Sequence, residues 1–193
     1  MCTMAPGIGL TATDVHDAAV NIRLRNKQPT KGTSIEDSNS GELITSPYTD
    51  ADHLLRLQTL DTQTQLFAKA LTILHPTRAD YATATYTDSF NWDEVFNLLR
   101  ELSHSHYSDS WTRRRFYVVA FRSVLSPHAD LEALHALDKH SHQEATLGGG
   151  LLKYWFGTRD CSRRNLATCM FSSHRVVGDS LLPFSLRSVL LPN

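Results

Sequence analysis

Cysteine is scarce in this chain, and an excess of charge of either sign is missing. Only Cys2, Cys161 and Cys169 occur among 193 residues. None belongs to a CxxC pair or to a Cys/His set with zinc spacing, so neither a disulfide framework nor a zinc finger is expected. An odd thiol count without a secretory leader fits a reducing compartment. Lysine and arginine number 19 against 20 acidic residues, for a formal net charge of -1. A protein built to hold nucleic acid needs a broad basic face to displace counterions. Here the basic residues gather only at Arg113 to Arg115 and at Arg163 with Arg164, which suits solvated strand flanks. No nucleic-acid partner is expected.

Long apolar runs are also lacking. None approaches the ~20 residues that cross a bilayer, and Met1 to Leu10 has neither the basic start nor the apolar centre of a signal peptide. The expectation is a cytoplasmic protein without membrane contact. A glycine-rich phosphate loop, a serine nucleophile elbow and a dinucleotide fingerprint are all absent. No large cofactor is therefore expected.

What is present divides the chain in two. Residues 1–50 are rich in Thr, Ser, Asp, Asn, Gly and Pro, and bury too little apolar surface to offset the entropy of ordering them. They read as a mostly disordered leader. Residues 51–193 read as a single α+β domain, with 51–112 a strand and helical lead-in. Leu55, Leu57 and Thr59 alternate with polar residues, predicting a short strand. Thr62 with Gln65 has capping-box spacing ahead of a helix through Leu74, which His75-Pro76 closes. Asn91 and Glu94 open a second helix, whose Trp92, Val95, Phe96, Leu99 and Leu102 form one apolar stripe. Such a stripe is core.

Residues 113–193 carry the rest of the fold. Phe116 to Arg122 is β-branched and aromatic throughout, a strong strand. A helix from about Ser126 to Ala145 ends at Gly148-Gly149-Gly150, whose freedom at positive φ suits a tight exit. Leu151 to Phe156 and Asn165 to Phe171 make two further strands joined by a hairpin. The order β-α-β-β is the first part of a ferredoxin-like unit, with helices on one face of the sheet.

Five strings add a resemblance: Ser89 to Phe96 (SFNWDEVF), Phe116 to Ser123 (FYVVAFRS), Leu137 to Ala145 (LDKHSHQEA), Gly149 to Gly157 (GGLLKYWFG) and Arg164 to Cys169 (RNLATC). Together they resemble a fungal family of uncharacterised proteins, over roughly residues 50 to 171. The resemblance implies membership of the dimeric α/β-barrel group, which also includes antibiotic-biosynthesis-type monooxygenases. It implies a possible homodimer and a pocket between sheet and helices, and it carries no catalytic residue onto this chain. Members of the family continue into a longer helix and a final strand rich in Trp and Glu. This chain instead gives residues 172–193, where Phe184, Leu186 and Leu190 alternate with Ser185, Arg187 and Val189. The expectation there is a makeshift edge strand or an incomplete end.

Candidate chemistry gathers in the second half. Asp138 and His142 stand i,i+4 on one helical face, where a carboxylate can orient an imidazole. An oriented histidine titrating near neutrality is a natural general base for a small phenolic or β-keto substrate. The structural alternative is a partly exposed helix face. His140 with Glu144, and His135 earlier, add potential ligands. However, His140 and His142 point about 200° apart on a helix, so no metal is expected. Tyr154 and Trp155 face opposite sides of their strand, one toward the helices and one toward a lumen or partner. Arg164 and Asn165 open the last strand and can hold a carboxylate or carbonyl oxygen, or simply fasten the hairpin. Cys169 reads as a small buried residue.

The functional expectation is a small-molecule-binding α/β-barrel protein, with a cofactor-independent enzyme of fungal secondary metabolism as its sharper form. Its chemistry would be oxygenation, cyclisation, decarboxylation or isomerisation. The competing expectation is a non-enzymatic interaction or scaffold protein, or a degenerate family member.

Overall fold

The computed structural model describes residues 18–22, 41–106 and 111–172. Within them the chain is α+β, with three α-helices and two small antiparallel sheets. The makeshift strand expected at 184–190 lies outside these residues, as does most of the leader.

Strand β1 is Ala18–Ile22, and β2 (Glu42–Leu43) pairs antiparallel with β3 (Leu55–Arg56) in a two-stranded sheet. Helix α1 (Thr62–Ala70) is capped by Asp61, whose carboxylate accepts from the Thr64 amide at 3.2 Å. The stripe read in α2 (Trp92–His106) is core: Val95 and Leu99 are fully buried. Asn91 does not cap α2 through its side chain. Its amide reaches Ile73 and Glu94, and its carbonyl accepts from the His75 amide, so it ties the two helices together.

The four-stranded sheet has the order β1-β4-β6-β5, antiparallel throughout, with β4 Arg114–Val124, β5 Leu151–Phe156 and β6 Arg164–Ser172. Helix α3 (Leu131–Gly148) crosses from β4 to β5, leaving β6 between them. Asp130 opens α3 by accepting from the Glu132 and Ala133 amides at 3.1 and 3.0 Å. Gly149, at φ 78°, turns the chain out into β5, a conformation that disfavours any side chain.

Strand alternation gives the sheet two unlike faces. Phe116, Val118, Leu152, Leu166 and Met170 join Leu66, Phe67, Leu71, Val95 and Leu99 in the larger core, beneath α1 and α2. Val119, Leu151, Tyr154 and Cys169 face α3 with Tyr48, in a much smaller cluster. A bulge between Leu151 and Lys153 shifts the register of β5 against β6. It lets Leu151 and Tyr154, three residues apart, enter the same core while Leu152 enters the other.

One expectation about the leader is corrected at residues 41–50. They hold β2, the buried Thr45 and Ser46, and a buried tyrosine, Tyr48. This segment is placed by polar bonds to α3 and β5 rather than by its own apolar content, which is why composition alone missed it. Among the described residues, no helix is long and apolar enough to cross a membrane.

Candidate functional site

The small polar cluster on the α3 face is built by three pieces of chain. Strand β5 presents Tyr154 and α3 presents Asp138 and His142. The segment between β2 and β3 runs along both. Its Thr45 carbonyl accepts from the Tyr154 amide at 3.0 Å, extending the edge of β5. Ser46 then shapes a local turn, with its hydroxyl accepting from the Tyr48 amide at 3.1 Å. A short 3-10 turn, Ala51–His53, delivers His53 against α3.

Two hydrogen-bonded sets result. In the first, the Asp138 carboxylate accepts from both the Tyr48 hydroxyl, at 2.5 Å, and the Tyr154 hydroxyl. Burial, and then the neighbouring Asp138 carboxylate, push both phenols far above their usual range. They therefore stay protonated and act as donors. Cys169, opposite Tyr154, is likewise pushed up by burial and then by Asp138, so it stays a thiol.

In the second set, His53 Nδ1 and His142 Nδ1 lie 2.8 Å apart, with both residues buried. Each ring meets the other at a centroid distance of 5.0 Å, and Tyr48 and Tyr154 flank His142 at 5.2 and 5.4 Å. His142 is only 4% exposed, and its Nε2 has no hydrogen-bond partner among the described residues. Burial, and secondarily His53, lower its pKa to about 4. At neutral pH it is an uncharged imidazole.

The i,i+4 spacing does bring Asp138 and His142 to one face of α3. The carboxylate, however, is bonded to the two tyrosine hydroxyls, and the orienting bond to His142 comes from His53. The remaining candidates lie elsewhere. Trp155 packs on the opposite sheet face, against Tyr81 and Phe90 at 5.3 and 5.1 Å. Arg164 is exposed and bonds Asp160 at 2.8 Å within the β5–β6 connection. The Asn165 side chain accepts from the adjacent Leu166 amide. Asn165 is four residues from Cys169 along β6, roughly 13 Å at strand rise. Of the six candidates, Asp138, His142 and Tyr154 come together.

Tyr48 and His53 are the members that sequence reasoning missed. Both sit in or beside a stretch read as leader. The available signal was an isolated tyrosine and a histidine close to Asp50 and Asp52, in a segment otherwise poor in rings. Asp50, Asp52 and His53 also bring ligand-type atoms within 4.8 Å of one another. Asp50 is already paired with Lys139 at 2.6 Å and Asp52 accepts from Gln143 at 2.5 Å, so these contacts fasten the segment to α3 and assign no metal. His140 meets Glu144 at 3.7 Å on the solvent side.

Comparison with known proteins agrees with the strings noted in the sequence. The PB2B2.08-like family matches residues 44–179, which takes in both tyrosines, both histidines and Asp138. The UPF0643 protein PB2B2.08 of Schizosaccharomyces pombe is 42% identical over 135 residues, covering 66% of this chain and 61% of that protein. This chain thus spans less than two thirds of the relative's length. No solved structure matches. The chain belongs to the PB2B2.08-like family.

Proposed function

We propose that the α3 face binds a small, flat molecule with an acidic X–H group, phenolic or β-keto, and that His142 is its base. The carrying observation is the His142 Nε2 atom, buried and without a partner beside two tyrosine rings. A buried polar atom left unpaired costs about 1–3 kcal/mol, and a ligand that bonds to it recovers that cost. A neutral imidazole accepts a proton, aromatic walls suit a flat substrate, and proton transfer needs no cofactor. The chemistry is then enolisation, isomerisation, cyclisation or decarboxylation, of the kind used in fungal secondary metabolism. Cytoplasmic placement accords with the free thiols at Cys161 and Cys169. Because Nε2 is enclosed, the ligand enters when the 45–53 segment lifts from α3.

The β4-α3-β5-β6 order, with β6 between β4 and β5, supports a ferredoxin-like reading of the sheet. Closure into a dimeric barrel is not part of this proposal. A partner sheet needs a bare face, whereas α1 with α2 covers one face and α3 with residues 45–53 covers the other.

Native mass spectrometry of the protein purified from a fungal host tests the proposal. The expected result is a copurified small molecule that His142→Ala loses and Trp155→Leu, on the other face, retains. Wild-type protein with no bound mass, or a mass unaffected by His142→Ala, overturns it. A second reading, as an interaction protein, is favoured by the exposed leucines of α3, with Leu131 at 48%, Leu137 at 45% and Leu147 at 75%. A homodimer in the same spectra, dispersed by Leu137→Glu, would support that reading.

A further inference from the structure

We infer that Asp52, His53 and His142 form a directional proton relay, which links the buried Nε2 of His142 to solvent. The inference rests on the proposed role of His142 as a base and adds the route by which its proton leaves.

The direction follows from what lies at each end. Two imidazoles joined Nδ1 to Nδ1 need one donor and one acceptor. His53 Nε2 faces the Asp52 carboxylate, with Oδ1 at 3.9 Å. A negative group there favours the His53 tautomer protonated at Nε2, leaving its Nδ1 as the acceptor. His142 must then carry its proton on Nδ1, donate it to His53, and present a free lone pair at Nε2. Thr146 Oγ1, 3.4 Å from His142 Nδ1, is a long contact whose rotating hydroxyl accommodates this tautomer. The opposite arrangement would put an N–H at the unpartnered Nε2 and turn a lone pair of His53 toward a carboxylate. Both are unfavourable.

The relay also answers a difficulty in the base itself. Burial makes an imidazolium at position 142 costly, so a proton should not rest there. When the ligand's X–H bond breaks, its electron pair stays on the ligand and the proton joins His142 Nε2. The Nδ1–H bond of His142 breaks and that proton passes to His53 Nδ1. His53 then releases its Nε2 proton toward Asp52, which is 49% exposed and within reach of bulk water. Positive charge moves outward to where a carboxylate stabilises it. Reprotonating the ligand at a second atom runs the relay backward and restores both tautomers. Nothing is oxidised or reduced. Gln143, bonded to the other Asp52 oxygen at 2.5 Å, holds the carboxylate in place from α3. His53 and Asp52 are thus positioning and relay residues, acting through His142.

Long-range proton–nitrogen NMR of the full chain with 15N-labelled histidine, at neutral pH and without added ligand, tests this. The expected tautomers are Nδ1–H at His142 and Nε2–H at His53. Finding Nε2–H at His142 overturns the inference. Asp52→Asn is expected to mix the tautomers of both rings, and unchanged tautomers would remove Asp52 from the relay. His53→Gln retains an oxygen to accept from His142 Nδ1 but cannot pass a proton on. It should keep the His142 tautomer while slowing solvent exchange of that N–H by about a hundredfold, the low end of acid–base assistance. Unchanged exchange in this variant means that no relay operates. These readouts need no ligand, so they fail independently of the copurification experiment above.

Discussion

His142 converts burial into pH dependence. An imidazole in the unfolded chain titrates near 6.5, whereas the folded His142 stays neutral down to about 4. Between those values the unfolded chain binds the extra proton, so acidification favours unfolding. Stability should fall as pH drops from about 6.5 to about 4 and gain no further loss from this residue below that. The shift is equivalent to about 3 kcal/mol. Urea denaturation of wild type and His142→Gln across this range should show wild-type stability falling further than the variant's, by up to about 3 kcal/mol over the whole window. Parallel curves would mean that His142 is solvated in the folded state. The tyrosines do not enter this window, because both stay protonated through it. Cys169 stays a thiol for the same reason and does not enter the window either.

The segment from Thr45 to His53 is held by polar bonds and by the packing of one ring, Tyr48. Tyr48 meets Asp138, Asp50 meets Lys139, Asp52 meets Gln143 and His53 meets His142. The two exposed contacts, at Asp50 and Asp52, are each worth little in water. The buried tyrosine and histidine bonds therefore decide whether the segment stays down. Tyr48→Phe leaves Asp138 with one donor and should cost about 1–3 kcal/mol, the desolvation cost of a partly unpaired buried acceptor. Hydrogen exchange should quicken in residues 45–53 and remain unchanged in α1 and α2. Uniform acceleration would show that the segment unfolds only with the whole protein. Legibility from sequence divides at the same place. The helix α2, the strand β4 and the glycine exit from α3 were readable because each carries a strong local period or a residue with special backbone freedom. The 45–53 segment has neither. Its order comes from bonds to residues some 90 positions away, such as Tyr48 to Asp138, and no local pattern encodes such a distance. The i,i+4 spacing of Asp138 and His142 correctly placed them together on α3. Their actual partners depend on the segment and on β5, so the pairing between them was not legible.

The whole molecule separates stability from chemistry across one sheet. Among the described residues, the α1/α2 face joins fifteen buried hydrophobic residues into one core, against five on the α3 face. Most of the area that drives folding therefore lies away from the polar cluster, and the α3 face is free to hold groups that burial penalises. Truncation should expose this asymmetry. Leu99, fully buried on the inner face of α2, should lose about 2–5 kcal/mol of global stability as Leu99→Ala. Val119, 6% exposed on the α3 face, should lose about 1.5 kcal/mol as Val119→Ala, at roughly 0.8 kcal/mol per methylene. Urea midpoints give the totals, and hydrogen exchange shows where each loss is felt. Leu99→Ala should raise exchange across β4, β6 and both helices of its face. Val119→Ala should act mainly on α3 and residues 45–53, since the small cluster can open without the large one. If both variants raise exchange everywhere alike, the two faces form one cooperative unit. Lifting the 45–53 segment to admit a ligand would then carry the cost of unfolding the chain, and access to His142 would need another route.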